Sequence, residues 1–306
     1  MKIDVIIPVY KPGEELFLLL DRLENQTVPV RNIILMNTEE KYFEKLVYGR
    51  RFEEKHTNVK VHHLSRREFD HGGTRHKGVQ YSDAEIFITM TQDAMPADEF
   101  LVEKLTANLK GDVAVAYGRQ LPGQNSGELE KLSRCFNYPA VSCMKSFEDI
   151  ETLGIKTFFC SNVCAAYRRD IYDELGGFIR HTIFNEDMIY ASAAVRAGYR
   201  ISYEAEACVI HSHNYTNMQQ LRRNFDLGVS QADHPEVFGD VPSESEGKKL
   251  VKAAWDHLKE KKQLYRFPGF CVQCGFKYAG YLLGKHYRKL PRRWVLAITT
   301  NKEYWK

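Results

Sequence analysis

Apolar positions in the first half of the chain fall into two alternating spacings. Residues 3–9 are hydrophobic with a single break at Asp4, as expected of a strand covered on both faces. Beyond Pro12-Gly13, leucines at 16, 19, 20 and 23 recur at helical spacing. Residues 32–36 return to a short apolar run, so strand, helix and strand open the chain as a doubly wound α/β domain does. A third strand is expected over 59–64 and a short helix over 74–81. Residues 86–90 predict a fourth strand, ending in the polar turn Thr91-Gln92-Asp93. Phe100, Leu101, Leu105 and Leu109 predict a helix over 98–109, and 113–117 a further strand.

Residues 119–157 keep no period and contain Pro122-Gly123, Asn125-Ser126-Gly127 and Pro139. An excursion of this kind either closes over a ligand or is plain surface structure. Strand-like composition returns at 158–167, followed by the Gly176-Gly177 turn. Asn185-Glu186-Asp187 leads a helix over 188–197 that Gly198 ends. Residues 199–203 and 207–210 read as two short strands running into His211-Ser212-His213, with a helix over 218–229. The polar stretch 235–247 marks a boundary. It divides an α/β domain, residues 1–235, from an extension, residues 248–306, of two or three short helices broken at Pro268-Gly269 and Pro291.

With 43% hydrophobic and 27% charged residues, the chain is an ordinary folded protein rather than a disordered one. Its net charge of +3 hides an asymmetry: residues 248–306 hold 15 Lys/Arg against 3 Asp/Glu, and the preceding residues 28 against 37. The basic extension is either a patch for a membrane or polyanion, or a solvated helical appendage. A nucleic-acid partner is not expected, because the main domain is acidic and lacks ordered stacking platforms. No run of 18 apolar residues offers a membrane span. Seven cysteines, an odd number, and no secretory leader ahead of the first strand point to a reducing cytoplasm. Cys271 and Cys274 form one CxxC, read as helix packing ahead of a redox pair or half a zinc site.

Asp93 follows a predicted strand, where open α/β sheets bind ligands. A carboxylate there either holds Mg²⁺ or Mn²⁺ against a diphosphate or only forms the turn. Glu186-Asp187 is either an acidic first turn or a general base with its neighbour, mutual repulsion raising one pKa. His211 and His213, two apart on an extended segment, share a metal or are edge histidines. In His71-Gly72-Gly73-Thr74-Arg75 the glycines permit close backbone approach, and Arg75 suits a phosphate or an active-site carboxylate. The GxGxxG pattern of dinucleotide binding is absent.

Together these segments resemble the inverting family 2 glycosyltransferases of GT-A fold. The match starts at Val5-Ile6-Ile7-Pro8-Val9-Tyr10, similar to that family's opening strand and nucleotide-binding edge. It continues at Met36-Asn37-Thr38-Glu39, where Asn37 stands in place of a frequent Asp. Gln92-Asp93 keeps only the last carboxylate of the family's acidic metal motif. Leu175-Gly176-Gly177-Phe178 with Asn185-Glu186-Asp187 resembles its GGF…ED segment. Phe69 to Arg75, Thr91 to Pro96 and His211 to Tyr215 narrow the resemblance to bacterial rhamnosyltransferases.

The resemblance implies a GT-A α/β domain with a mostly parallel central sheet, plus the helical basic extension. Asp187 would be the catalytic base, with Glu186 beside it. Pro8, Val9, Tyr10, Asn37, Glu39, His71, Arg75, Gln92 and Asp93 would bind the nucleotide-sugar, and Asp93 and His211 the metal, Mg²⁺ or Mn²⁺. L-Rhamnose would pass from dTDP-β-L-rhamnose to a lipid-linked surface-polysaccharide acceptor, at the cytoplasmic face of the cell membrane. The alternative donor is a UDP-hexose or UDP-N-acetylhexosamine. Aromatics among the tail's cations suit an interfacial helix, packing on the catalytic domain, or a homodimer contact.

Overall fold

A computed structural model of the chain describes residues 1–239 and 244–306, with side chains from 247 onward in the second segment. Nine strands among the described residues form one sheet: β1 (Ile3–Tyr10), β2 (Asn32–Thr38), β3 (Val59–Leu64), β4 (Ile86–Met90), β5 (Met95–Pro96), β6 (Val113–Leu121), β7 (Cys143–Lys145), β8 (Cys164–Arg168) and β9 (Arg200–Ile210). Their order is β3-β2-β1-β4-β8-β6-β9-β5, with β7 also paired to β9. β1 to β4 run parallel, and β6 runs parallel to β9. β8 is antiparallel to both β4 and β6, and β5 and β7 are antiparallel to β9. The expected mostly parallel sheet is therefore corrected to a mixed one. An apolar run buried on both faces reads the same in either direction, so β8 gave no sign of its reversal.

Alternation along the strands splits the core into two layers. Ile6, Ile34 and Phe87 face one side, where Tyr167, Tyr172, Phe178 and Tyr190 pack together. Val5, Ile7, Ile33, Leu35 and Ile88 face the other, under Leu16, Leu19, Leu20 and Leu23 of the Glu15–Glu24 helix. The two strands expected over 199–203 and 207–210 are one, β9, from Arg200 to Ile210. Its pairing with β6 shifts register between Gly118 and Arg119. A Cβ on Gly118 would lie 2.6 Å from the Ala207 carbonyl oxygen there, so the irregularity needs glycine.

The helix expected over 74–81 spans His71–Gln80, because Asp70 caps it earlier: its Oδ1 accepts from the Gly72 and Gly73 N–H groups, both at 2.9 Å. The helix expected over 98–109 is confined to Leu101–Thr106. The irregular stretch 119–157 contains the Glu128–Asn137 helix and β7. In the expected boundary, Pro235–Phe238 is a short helix whose Val237 and Phe238 sit in the core, while 240–243 lie outside the described residues.

The extension holds the helices Glu244–Glu260, Phe267–Lys285 and Arg292–Ile298. Pro268 does not break the second, because it occupies the first turn, where a missing N–H is harmless. That helix lies directly on the Asn217–Asp233 helix. Cβ atoms on Gly280, Gly284 and Gly228 would fall 2.1, 2.0 and 2.3 Å from the carbonyl oxygens of Leu221, Phe225 and Tyr281. The backbones thus touch through glycine. All seven cysteines are free, and among the described residues no helix is long and apolar enough to cross a membrane.

Candidate active site

The ends of β1, β2, β4, β6 and β9 meet at one edge of the sheet with the loop entering β8, where α/β sheets take ligands. Asp93 stands just past β4, and His211 just past β9. His211 Nε2 lies 3.5 Å from Asp93 Oδ1, and His213 Nε2 3.2 Å from Oδ2. The three ligand atoms sit within 4.8 Å of one another. Gln120 orients the first histidine: its Oε1 faces His211 Nδ1 at 2.9 Å and also accepts from Arg134. Its Nε2 donates to Tyr138 Oη at 2.6 Å and Ser161 Oγ at 3.0 Å. With Oε1 as acceptor, Nδ1 of His211 carries a proton, which fixes the ring so that Nε2 faces Asp93.

Burial works against the Asp93 charge, but the hydrogen bond and charge of His211, with Thr91 and His213, hold its carboxyl far below the usual range. Burial pushes His213 down to about 4, with His211 adding to the effect. A carboxylate and two imidazoles converging on one point are a donor set that fits a divalent cation. His213 joins the expected Asp93 and His211 as the third member.

The second half of the site begins with Asn185, held at φ 64°, where the Glu186–Arg196 helix starts. Glu186 is buried against Arg75, whose Nη1 is 3.0 Å from Glu186 Oε1 and donates to the His71 carbonyl at 3.0 Å. Of the two roles open to Arg75, this geometry has it orienting a carboxylate. Asn162 Nδ2 donates to Glu186 Oε1 and Asn162 N–H to Asp187 Oδ2, each at 3.0 Å. Met188 N–H donates to Asp187 Oδ1 at 2.8 Å. Burial pushes the Asp187 carboxyl up to about 7, with the Glu186 charge as second cause. Burial would raise Glu186 too, but Arg75, His71 and the Asn162 hydrogen bond hold it low. The two acids are thus split into a fixed anion and a carboxyl that titrates near neutrality.

Gly72 and Gly73 serve this half. Cβ atoms there would fall 1.9 Å from the Ile179 carbonyl oxygen and 2.6 Å from that of Arg180. The backbone they admit is the chain's own loop ahead of Glu186. His71 is buried near Phe69 and Phe184, and that burial lowers its pKa to about 4.

At the other end, Tyr10 meets Tyr42 edge-on at 5.8 Å, with the Lys11 ammonium 5.2 Å from each ring. Pro8 and Val9 lie within β1 beside Met36 and Asn37 of β2. Both ends of the Gln92 amide are taken by the Tyr10 backbone, at 2.9 and 3.0 Å. Asn37 is buried on His63 at 2.9 Å, with its Oδ1 unpartnered. Glu39 accepts from Arg66 N–H at 3.0 Å, which lowers its pKa.

Sequence reasoning missed Asn162, Ser161 and Gln120. Asn162 Oδ1 accepts from Thr89 at 2.6 Å and Tyr167 at 2.7 Å, so the residue is fixed on all sides. Ser161 touches Gln120 and Asn162 touches both acids, so one dipeptide joins the Asp93 cluster to the Glu186-Asp187 pair. Ser161 and Asn162 lie in the loop ahead of β8 and Gln120 near the end of β6, where a lone polar residue gives no periodic signal.

The sequence profile described as glycosyl transferase family 2 matches residues 4–176. The chain is 37% identical to the O-antigen chain rhamnosyltransferase RfbN of Salmonella typhimurium, over 100% of this chain and 96% of that one. It is 40% identical to the O-antigen chain rhamnosyltransferase WbaN of Salmonella anatum, over 79% and 78%. A mannosyltransferase from Pyrobaculum calidifontis, solved with GDP-Man and Mn²⁺, is similar in fold with a TM-score of 0.64 at 13% identity, over 94% of this chain and 88% of that one.

Proposed function

The chain belongs to glycosyltransferase family 2, and from that premise we propose that it transfers L-rhamnose from dTDP-β-L-rhamnose, with inversion, to a hydroxyl of a lipid-linked surface polysaccharide. The sugar rests on the two rhamnosyltransferases it resembles. The chemistry rests on one observation: Asp187, raised to about 7, is held by the same Asn162 that fixes Glu186. The acceptor hydroxyl attacks the anomeric carbon from the face opposite the diphosphate. Asp187 takes its proton as the C–O bond to the diphosphate breaks and the bonding pair leaves with dTDP. Glu186 stays ionised on Arg75 and keeps Asp187 basic.

Asp93, His211 and His213 would hold a divalent cation, which when bound neutralises charge on the leaving diphosphate. Two imidazoles with one carboxylate favour Mn²⁺ over Mg²⁺ in that position. Tyr10 at the strand end is suited to stacking on the base. Exposed Trp255, Tyr265, Tyr278 and Trp294 among the tail's cations support attachment to the cytoplasmic face of the membrane.

Calorimetry with dTDP-rhamnose, dTDP-glucose, UDP-glucose and UDP-N-acetylglucosamine, each with Mn²⁺ and with chelator, tests the donor. The expected result is a metal-dependent preference for dTDP-rhamnose. A preference for a UDP-sugar would keep the mechanism and discard the rhamnose.

A further inference from the structure

A cavity of about 720 Å³ opens beside the base, between the start of the Asn217–Asp233 helix and the last residues of the tail. Phe184, three positions before Asp187, lies on its wall, as does Tyr215, whose ring stacks on His213 at 4.7 Å, so the cavity borders both halves of the site. None of Asp93, His211 and His213 lines it. Its charged lining comes from three distant parts of the chain: Arg66, Arg222 with Arg223, and Lys302. Among the described residues none of these four cations has a carboxylate within 4.0 Å. Glu303, the acid on the wall, pairs with Lys306 at 2.7 Å and also feels the Arg66 charge, which leaves one acid against the four cations.

The four cations stand on ordered supports. The Arg223 guanidinium lies 4.8 Å from the Phe184 ring centre and 5.8 Å from that of Tyr215. Arg66 follows β3, its N–H tied to Glu39. The segment carrying Lys302 is pinned by Asp226, which accepts from Thr299 Oγ1 at 2.7 Å and Thr300 N–H at 2.9 Å. Tyr304 stacks on His181 at 4.6 Å. Like charges gathered this way repel one another unless an anion joins them.

We propose that this cavity binds the diphosphate of the acceptor, the group that tethers the growing glycan to its lipid, and that the basic tail completes the acceptor site through Lys302. The proposal rests on the glycosyltransferase reading of Asp187. Four cations exceed what a single carboxylate requires and match a diphosphate. The donor's own diphosphate belongs with Asp93, which does not line the cavity. Phosphate oxygens take arginine in bidentate fashion, and volumes of this order are usual for small-ligand sites.

The test titrates inorganic pyrophosphate, in chelator, into the full chain and into Lys302→Gln and Arg222→Gln, both exposed positions whose folding is checked by thermal melting. Each variant is expected to weaken pyrophosphate at least tenfold and leave dTDP binding with Mn²⁺ within twofold. Farnesyl diphosphate should compete at least as well as pyrophosphate. Unchanged pyrophosphate affinity in both variants would overturn the proposal. An equal loss of dTDP affinity would do so too, by assigning the cavity to the donor. Exclusion of farnesyl diphosphate would remove the lipid-linked acceptor as the source. If the pyrophosphate result holds while dTDP-rhamnose is neither bound nor used, the rhamnose reading fails and the anion site stands.

Discussion

Two acids adjacent in sequence, Glu186 and Asp187, leave the fold with opposite tasks because only one meets a guanidinium. Replacing Asp187 with Asn should lower the turnover number by roughly 10²–10⁴-fold while donor affinity, read by calorimetry, stays near wild type. Comparable turnover would remove the base assignment. Protonated below about 7, Asp187 cannot accept the hydroxyl proton, so kcat/KM should climb through that pH to a plateau. Stability runs the other way. Between the unfolded value near 4 and the folded one, the folded chain keeps a proton the unfolded chain has lost, so this group's contribution falls as pH rises across that window. The melting temperature of Asp187→Asn should therefore gain on wild type at pH 8 and match it near pH 4. Gln120→Ala should weaken Mn²⁺ binding by roughly 10–100-fold, because His211 loses the partner that sets its tautomer; an unchanged calorimetric affinity would leave Gln120 with a packing role only. Asp93, Asp187 and His211 were legible in the sequence because each sits at the end of an element the hydrophobic pattern outlines. Asn162 and Gln120 were not, since their partners are 24 and 91 residues away.

Among the elements, β1, β2 and β4 announced themselves as apolar runs bounded by turn residues. β9 did not, because Glu204 and Glu206 interrupt its run; Glu204 is nonetheless buried, bonded to Ser202 at 2.5 Å and Asn108 at 3.0 Å. The tail helix Phe267–Lys285 was obscured by its glycines, which propensity counts against a helix and which here let it dock. Gly284→Ala should cost about 1–3 kcal/mol in urea unfolding, the usual penalty of overpacking, because the new methyl meets backbone at Phe225 that no rotamer change can move. Gly275→Ala, on the same helix with nothing within 4 Å, is the control and should be neutral or stabilising. Equal effects at both positions would mean the glycine seam does not hold the two helices.

For the molecule as a whole, the charge asymmetry visible in the composition acquires a direction. Lys302 faces the cavity by the base, while Trp255, Tyr265, Tyr278 and Trp294 face outward. The protein should sediment with phosphatidylglycerol vesicles at low salt and release as added salt shortens the screening length, from about 30 Å at 0.01 M to about 3 Å at 1 M. Sedimentation that salt leaves unchanged would replace electrostatic attachment with another mode. The Ser161-Asn162 peptide carries a different kind of consequence. It touches Gln120, behind His211, and Asp187, so under the proposed mechanism it would act as a ruler of fixed length across the sugar. Efforts to re-engineer this enzyme for another donor then have a division of labour: the surrounding loops can be diversified to admit a different ring, whereas changes at Asn162 should degrade turnover with every sugar alike.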